Sequence, residues 1–364
     1  MSSTANHRDT ETQRPSTILI SFITLVVAIL IAGIFGYTAS APQAEYTSAN
    51  LFGLKRLAQT SWAAIGSRRS LNSVPETVQK TPATEGINMR TPVYFLSHGG
   101  PNIMYDTEHP AYKELGKIGK EITTKVKPRA VVVFSAHWQA GRDTVQVNTA
   151  EMTELIYDFY GFPSHYYEEK YPNVGSREVA NKVLDAFKEA GINAEGVKRG
   201  LDHGVWASFK CAFEPKSNPL NVPIVQVSLF GTEDPMQHYR LGQAVSKLRE
   251  ENILIIVSGM AVHNLRDLRF TFSDPKPMPY TVSFDEALKD AATKPPTERA
   301  QALIDLLKRG DARQAHPSFE HLLPIHIGAG AAEDDVGKRL FTLKEGSLSW
   351  AQYRFGEVGN VSAL

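Results

Sequence analysis

Four short apolar runs rich in β-branched residues stand out along the chain: Pro92–Leu96, Ala130–Ser135, Pro223–Leu229 and Ile253–Ser258. Unbroken apolar runs of this length suit strands buried on both faces of a sheet. Between and after them, apolar positions recur at helical spacing. This predicts helices over Tyr112–Val126, Ser176–Ala190, Met236–Glu251, Phe284–Ala292, Glu298–Lys308 and Ile327–Ala332. Gln352–Val358 is expected to add a closing edge strand. Strands separated by helices imply an α/β fold, with a central, mostly parallel or mixed sheet flanked by helices on both faces. That domain is expected over 89–364.

A different pattern precedes it. Residues 1–16 are polar and read as a disordered tail, whereas Ile18 to Tyr37 run for twenty residues without a charge. As a helix this run spans about 30 Å, the thickness of a bilayer's hydrocarbon core. The reading is a transmembrane or signal-anchor helix over 17–38, anchoring the chain through 18–37 as a single-pass protein of a mitochondrial or secretory-pathway membrane. A cleaved signal peptide is the rival, since Ala39-Ser40-Ala41 resembles a cleavage site. The length of the run and Pro42 favour retention. The Ser/Thr/Ala/Pro-rich segment 39–88 reads as a linker or stalk.

Composition narrows the function. The 364 residues carry 39 basic and 39 acidic side chains, so the basic surplus that phosphate binding needs is missing. Nucleic acid is therefore not an expected partner. The single cysteine, Cys211, cannot form an internal disulfide and sits in an apolar helical stretch, where a free thiol behaves as a small hydrophobe. No phosphate-binding glycine loop and no Gly-x-Ser-x-Gly nucleophile motif is present.

The chemistry is carried by histidines at strand ends. The first apolar run ends in Ser97-His98-Gly99-Gly100-Pro101, the second in Ser135-Ala136-His137-Trp138, and the fourth is followed by Val262-His263-Asn264. In open α/β sheets the binding crevice lies beyond the carboxyl ends of the strands. These imidazoles are therefore expected to meet at one edge of one sheet. His203, in Leu201-Asp-His-Gly-Val-Trp206, and His316 with His321, in His316-Pro-Ser-Phe-Glu-His321, are further candidates from loops. Neutral imidazole suits zinc and iron, and a catalytic metal site needs three protein ligands and an open position.

These motifs, with Tyr157–Pro163 (YDFYGFP), occur in the order seen in class III extradiol ring-cleavage dioxygenases. The chain resembles their 4,5-DOPA dioxygenase extradiol-like branch over about 91–358. The resemblance implies a single catalytic domain that uses O₂ and one non-haem Fe(II), or Zn(II), to open a catechol ring beside its two hydroxyls. It implies His98 and His137 as metal ligands and His316 as a further one, with Glu320 competing for that place. His263 corresponds to a position that is either metal-proximal or acid/base, and His203 to an acid/base residue. Tyr157, Phe159 and Tyr160 are expected in the substrate wall, with His165 and Asn264 as further substrate contacts. The alternatives are a zinc-dependent hydrolase, or a membrane-tethered metal- or small-molecule-binding protein, on the same scaffold. The anchor is checked by alkaline extraction: the full chain is expected in the membrane pellet, and its release into the supernatant would overturn the anchor.

Overall fold

The structure, a computed structural model, describes residues 90–271 and 274–359. The tail, anchor helix and stalk expected before residue 89 lie outside the described residues. Among the described residues no helix is long and apolar enough to cross a membrane.

The four apolar runs form neighbouring parallel strands: β1 (Val93–Ser97), β2 (Ala130–Gln139), β5 (Ile224–Leu229) and β6 (Ile253–Gly259), in the order β5-β2-β6-β1. Successive side chains alternate between the two faces of a strand. Val93, Phe95, Val132, Ile255 and Val257 thus build the core on one face, while Tyr94, Leu96, Val133, Leu254 and Ile256 build it on the other. Each fully buried aliphatic or aromatic side chain contributes roughly 1.5–3 kcal/mol, so the centre of the sheet is its most strongly specified part. Around it lie α1 (Pro110–Glu121), α2 (Arg177–Glu189), α3 (His203–Ala212), α4 (Pro235–Ala244), α5 (Leu265–Leu268), α6 (Pro279–Ala292), α7 (Pro296–Leu306), α8 (Ala312–Ala315) and α9 (Leu323–Ala331).

The sheet is mixed and larger than the four runs suggest. β3 (Thr144–Asn148) pairs antiparallel with β5, and β4 (Asn193–Val197) pairs parallel with β3, giving eight strands in the order β4-β3-β5-β2-β6-β1-β11-β8. Here β8 is Gly337–Phe341 and β11 is Gln352–Phe355. The expected closing edge strand is thus an interior one: β11 runs antiparallel between β1 and β8, and β8 forms the edge. A second, three-stranded sheet, β7-β10-β9, joins Val262–His263, Leu348–Ser349 and Lys344–Glu345. The single helix expected over Met236–Glu251 breaks, with α4 ending at Ala244 and a tighter turn over Ser246–Glu251.

Candidate metal centre

The carboxyl ends of β1, β2 and β6 lie side by side, so the residues that follow them converge. His98 leaves β1 with its backbone N–H bonded to the Gly259 carbonyl at 3.0 Å, and His137 lies within β2. The turn before α9 brings a third imidazole, His321. Its carbonyl accepts from the Met260 N–H at 2.9 Å. A Cβ on Gly259 would stand 2.2 Å from that same carbonyl oxygen, so the end of β6 can receive the turn only because residue 259 has no side chain. Gly99 has φ +65°, and a Cβ there would meet the Trp350 ring at 2.0 Å. Both conditions select glycine.

His137 Nε2 lies 3.2 Å from His98 Nε2 and 3.2 Å from His321 Nε2. What faces inward is decided by the other ring nitrogens. Ser258 donates its only hydroxyl proton to the Gly204 carbonyl, so the 2.9 Å contact between its Oγ and His98 Nδ1 requires His98 to donate from Nδ1. His321 Nδ1 lies 3.0 Å from Glu320 Oε1, and His137 Nδ1 lies 3.2 Å from Asp158 Oδ2; each carboxylate accepts a proton from its imidazole. With Nδ1 of each ring engaged in this way, the three Nε2 atoms are left facing one another. Burial first, then the surrounding imidazoles, push His98 and His321 well below the usual histidine range, which keeps both rings neutral. Three lone pairs at this spacing fit a divalent cation, since nitrogens about 2.1 Å from a tetrahedral ion lie roughly 3.4 Å apart. Acceptors on the remote nitrogens are the usual means of orienting metal-bound histidines.

Two more histidines complete the cluster. His203 is the first residue of α3, and Asp158 Oδ1 accepts both its backbone N–H and its Nδ1–H at 2.9 Å. Asp158 therefore holds His137 and His203 together, and the His203 and His137 ring centres are 4.1 Å apart. Burial alone would raise the Asp158 carboxyl, but the hydrogen bonds from His137 and His203 outweigh it and hold Asp158 well below the usual carboxylate range. For His203 burial leads, lowering its pKa, with Asp158 opposing. The His263 ring stacks on His321 with centres 3.7 Å apart and an angle of 16°. Burial, with His316 next, lowers His263 to about 3.

The remaining expected residues separate into those inside and those outside this group. His316 is not brought to the three nitrogens: it is fully buried, its Nε2 bonds to the Ala261 carbonyl at 3.0 Å, and its ring packs on Phe284. His321, five residues on, occupies the place expected for it. Phe159 is buried with its ring centre 5.5 Å from that of His203, the two rings nearly perpendicular, and Tyr157 stands beside it, its hydroxyl donating to the Glu169 carbonyl. Tyr160, in contrast, is 81% exposed, and His165 is exposed against Tyr105 and Tyr166. Asn264 has its amide committed to the backbone: it caps α5 by accepting from Arg266 and Asp267, and donates to the Gln314 carbonyl. Asp158 and Ser258 were not anticipated, and a carboxylate inside an aromatic motif gives no local sign of bridging two imidazoles. A cavity of about 340 Å³ lined by Tyr171, Phe213, Pro219 and Leu220 begins where β5 begins, at the opposite sheet edge, and offers no histidine or carboxylate.

The chain is similar to known proteins over most of the described residues. The sequence family described as the catalytic LigB subunit of aromatic ring-opening dioxygenase matches residues 92–360. The chain is similar to a 4,5-DOPA dioxygenase extradiol of Beta vulgaris, at 35% identity over 72% of this chain and 95% of that one. It is also similar to a 4,5-DOPA dioxygenase extradiol-like protein of Schizosaccharomyces pombe, at 34% identity over 68% and 86%. Among solved structures, an uncharacterized protein from Escherichia coli K12 matches with a TM-score of 0.60 and 28% identity, over 73% of this chain and 100% of that one.

The fit at Gly259 is directly testable. Gly259→Ala places a methyl against backbone and is expected to destabilise the fold by about 1–3 kcal/mol. Gly310→Ala, where a Cβ meets nothing within 4 Å, serves as the control. Thermal denaturation is expected to show a lower Tm for the first variant only; equal Tm values would remove the close approach of His321 as a constraint.

Proposed function

Because this chain belongs to the family of the catalytic LigB subunit of aromatic ring-opening dioxygenase and is an aromatic ring-opening dioxygenase, we propose that its substrate is a DOPA-like catechol. In this reading O₂ is the second substrate, the ring opens beside its two hydroxyls, and His98, His137 and His321 hold one non-haem Fe(II) or Zn(II). The observation that carries the reading is the convergence of three Nε2 lone pairs, each fixed by an acceptor on the opposite ring nitrogen.

A divalent ion held there supplies the charge that acidifies a catechol hydroxyl and a template on which catechol and O₂ meet. The protein does the rest. With Nδ1–H tied to Asp158, His203 keeps a lone pair on Nε2 and takes the proton of a catechol hydroxyl. Asp158 stabilises the imidazolium that forms and prevents the ring from turning. His263, held flat against His321, is the second proton-handling residue in this reading. Phe159 and Tyr157, backed by Trp206, form an apolar wall for the aromatic ring and exclude water from the reacting edge.

Elemental analysis of the full chain, with aerobic and anaerobic assays on DOPA and simpler catechols, tests the reading. One metal per chain and strictly O₂-dependent appearance of a coloured ring-opened product are expected. Turnover without O₂, or no metal uptake, would overturn it. His321→Ala is expected to lose the metal and His316→Ala to keep it; the opposite pattern would restore His316 as the ligand. His203→Ala is expected to retain stoichiometric metal while kcat falls about 10²–10⁴-fold, and an unchanged kcat removes His203 from the proton transfer.

A further inference from the structure

The three-stranded sheet extends from the metal centre to a carboxylate that the chemistry above does not use. Leu348 pairs directly with His263 on one side and with Glu345 on the other. Directly paired residues on neighbouring strands project from the same face. His263, Leu348 and Glu345 therefore form one strip, and His263 stacks on His321 at its inner end. With strands about 4.8 Å apart, Glu345 stands about 10 Å from His263 across the sheet.

A second set of contacts reaches the same place from β1. Trp350 packs on Gly99, the neighbour of His98, and its ring lies 4.7 Å from that of His109. His109 Nε2 lies 3.2 Å from Glu345 Oε2. The strip is apolar in its middle, since Leu348 packs in the same cluster as Trp350, Phe159 and Tyr157. At its outer end it carries a carboxylate whose side chain is 40% exposed.

That carboxylate keeps its charge. His109 Nδ1 accepts the Ala111 backbone N–H, so His109 donates from Nε2 to Glu345 and orients it. Lys344, on the opposite face, pairs with Asp285 and Glu286. Among the described residues no lysine or arginine pairs with Glu345. The His109 hydrogen bond, with burial opposing, holds the Glu345 carboxyl below the usual range.

We propose that Glu345 determines the substrate's side-chain class: it receives the ammonium group of a catechol carrying an amine on a short aliphatic arm, as DOPA does, and turns away catechols whose arm ends in a carboxylate and carries no amine. The inference rests on the ring-cleavage reading and specifies which catechols enter the site. An ammonium meets an oriented carboxylate at the far end of the apolar Leu348 stretch, whereas an arm with a carboxylate and no amine meets repulsion at the same point.

The test compares kcat/KM of the metal-loaded full chain for dopamine, 4-methylcatechol and 3-(3,4-dihydroxyphenyl)propionate. Wild type is expected to favour dopamine over the propionate by about tenfold or more. In Glu345→Gln this ratio is expected to fall to near one, chiefly through KM for dopamine, and in Glu345→Lys to invert. A wild-type ratio at or below one, or a ratio that Glu345→Gln leaves in place, overturns the assignment while cleavage of 4-methylcatechol leaves the ring-opening reading standing. If none of the three catechols is cleaved, that reading fails and the assignment fails with it.

Discussion

The site depends on an electrostatic arrangement that is unfavourable by itself: three imidazoles with their Nε2 nitrogens turned toward each other. Left free, any of these rings would rotate or change tautomer and hydrogen bond to its neighbour. Each is prevented by a different acceptor: Ser258 for His98, Asp158 for His137 and Glu320 for His321. The acceptors come from β6, the aromatic loop before α3 and the turn before α9, so the inward orientation is enforced by three separate parts of the fold. A cation removes the lone-pair repulsion, and the framework that resists rotation before binding is the reason binding would require little rearrangement.

In the proposed chemistry the same framework connects metal holding to proton transfer. Asp158 spends one oxygen on His137 and the other on His203, and it lies at the amino end of α3, where the His203 backbone N–H adds to its stabilisation. A carboxylate so supplied with donors stays ionised although it is mostly enclosed. It therefore fixes the tautomer of one ring that faces the metal position and of another that faces the substrate side. Any change at Asp158 acts on both, which makes it a poor position for separating binding from catalysis and a good one for keeping the two in register.

The sequence made the centre of this architecture legible because buried parallel strands leave an unmistakable trace. The four apolar runs are β1, β2, β5 and β6, and the histidines behind β1 and β6 and within β2 lie together at the predicted edge. Legibility declined with burial. β4 is mostly exposed and reads Asn-Ala-Glu-Gly-Val, without an apolar signature, and β3 alternates polar and apolar residues. The choice between His316 and His321 could not be made from spacing, because both sit in one turn and only the close approach at Gly259 decides which ring reaches the other two. Asp158 was hidden for a similar reason: its role comes from contacts with residues 21 and 45 positions away.

The architecture also separates what must be kept from what can vary. Two of the three nitrogens are carried by doubly buried strands, His98 just after β1 and His137 within β2, where a one-residue slip would turn every core side chain to the wrong face. The approach to them is built from two-residue strands, β7, β9 and β10, joined to the centre through His263. Apart from Val262 and Ser349, which are buried, their side chains are half-buried. Substitutions there change what an incoming molecule meets without altering the acceptors that orient the imidazoles. A shared ring-opening chemistry and a changeable choice of side chain on the ring are therefore compatible in one fold, because the small sheet reaches the centre through His263 stacked on His321, while Ser258, Asp158 and Glu320, which orient the three imidazoles, all lie outside that sheet.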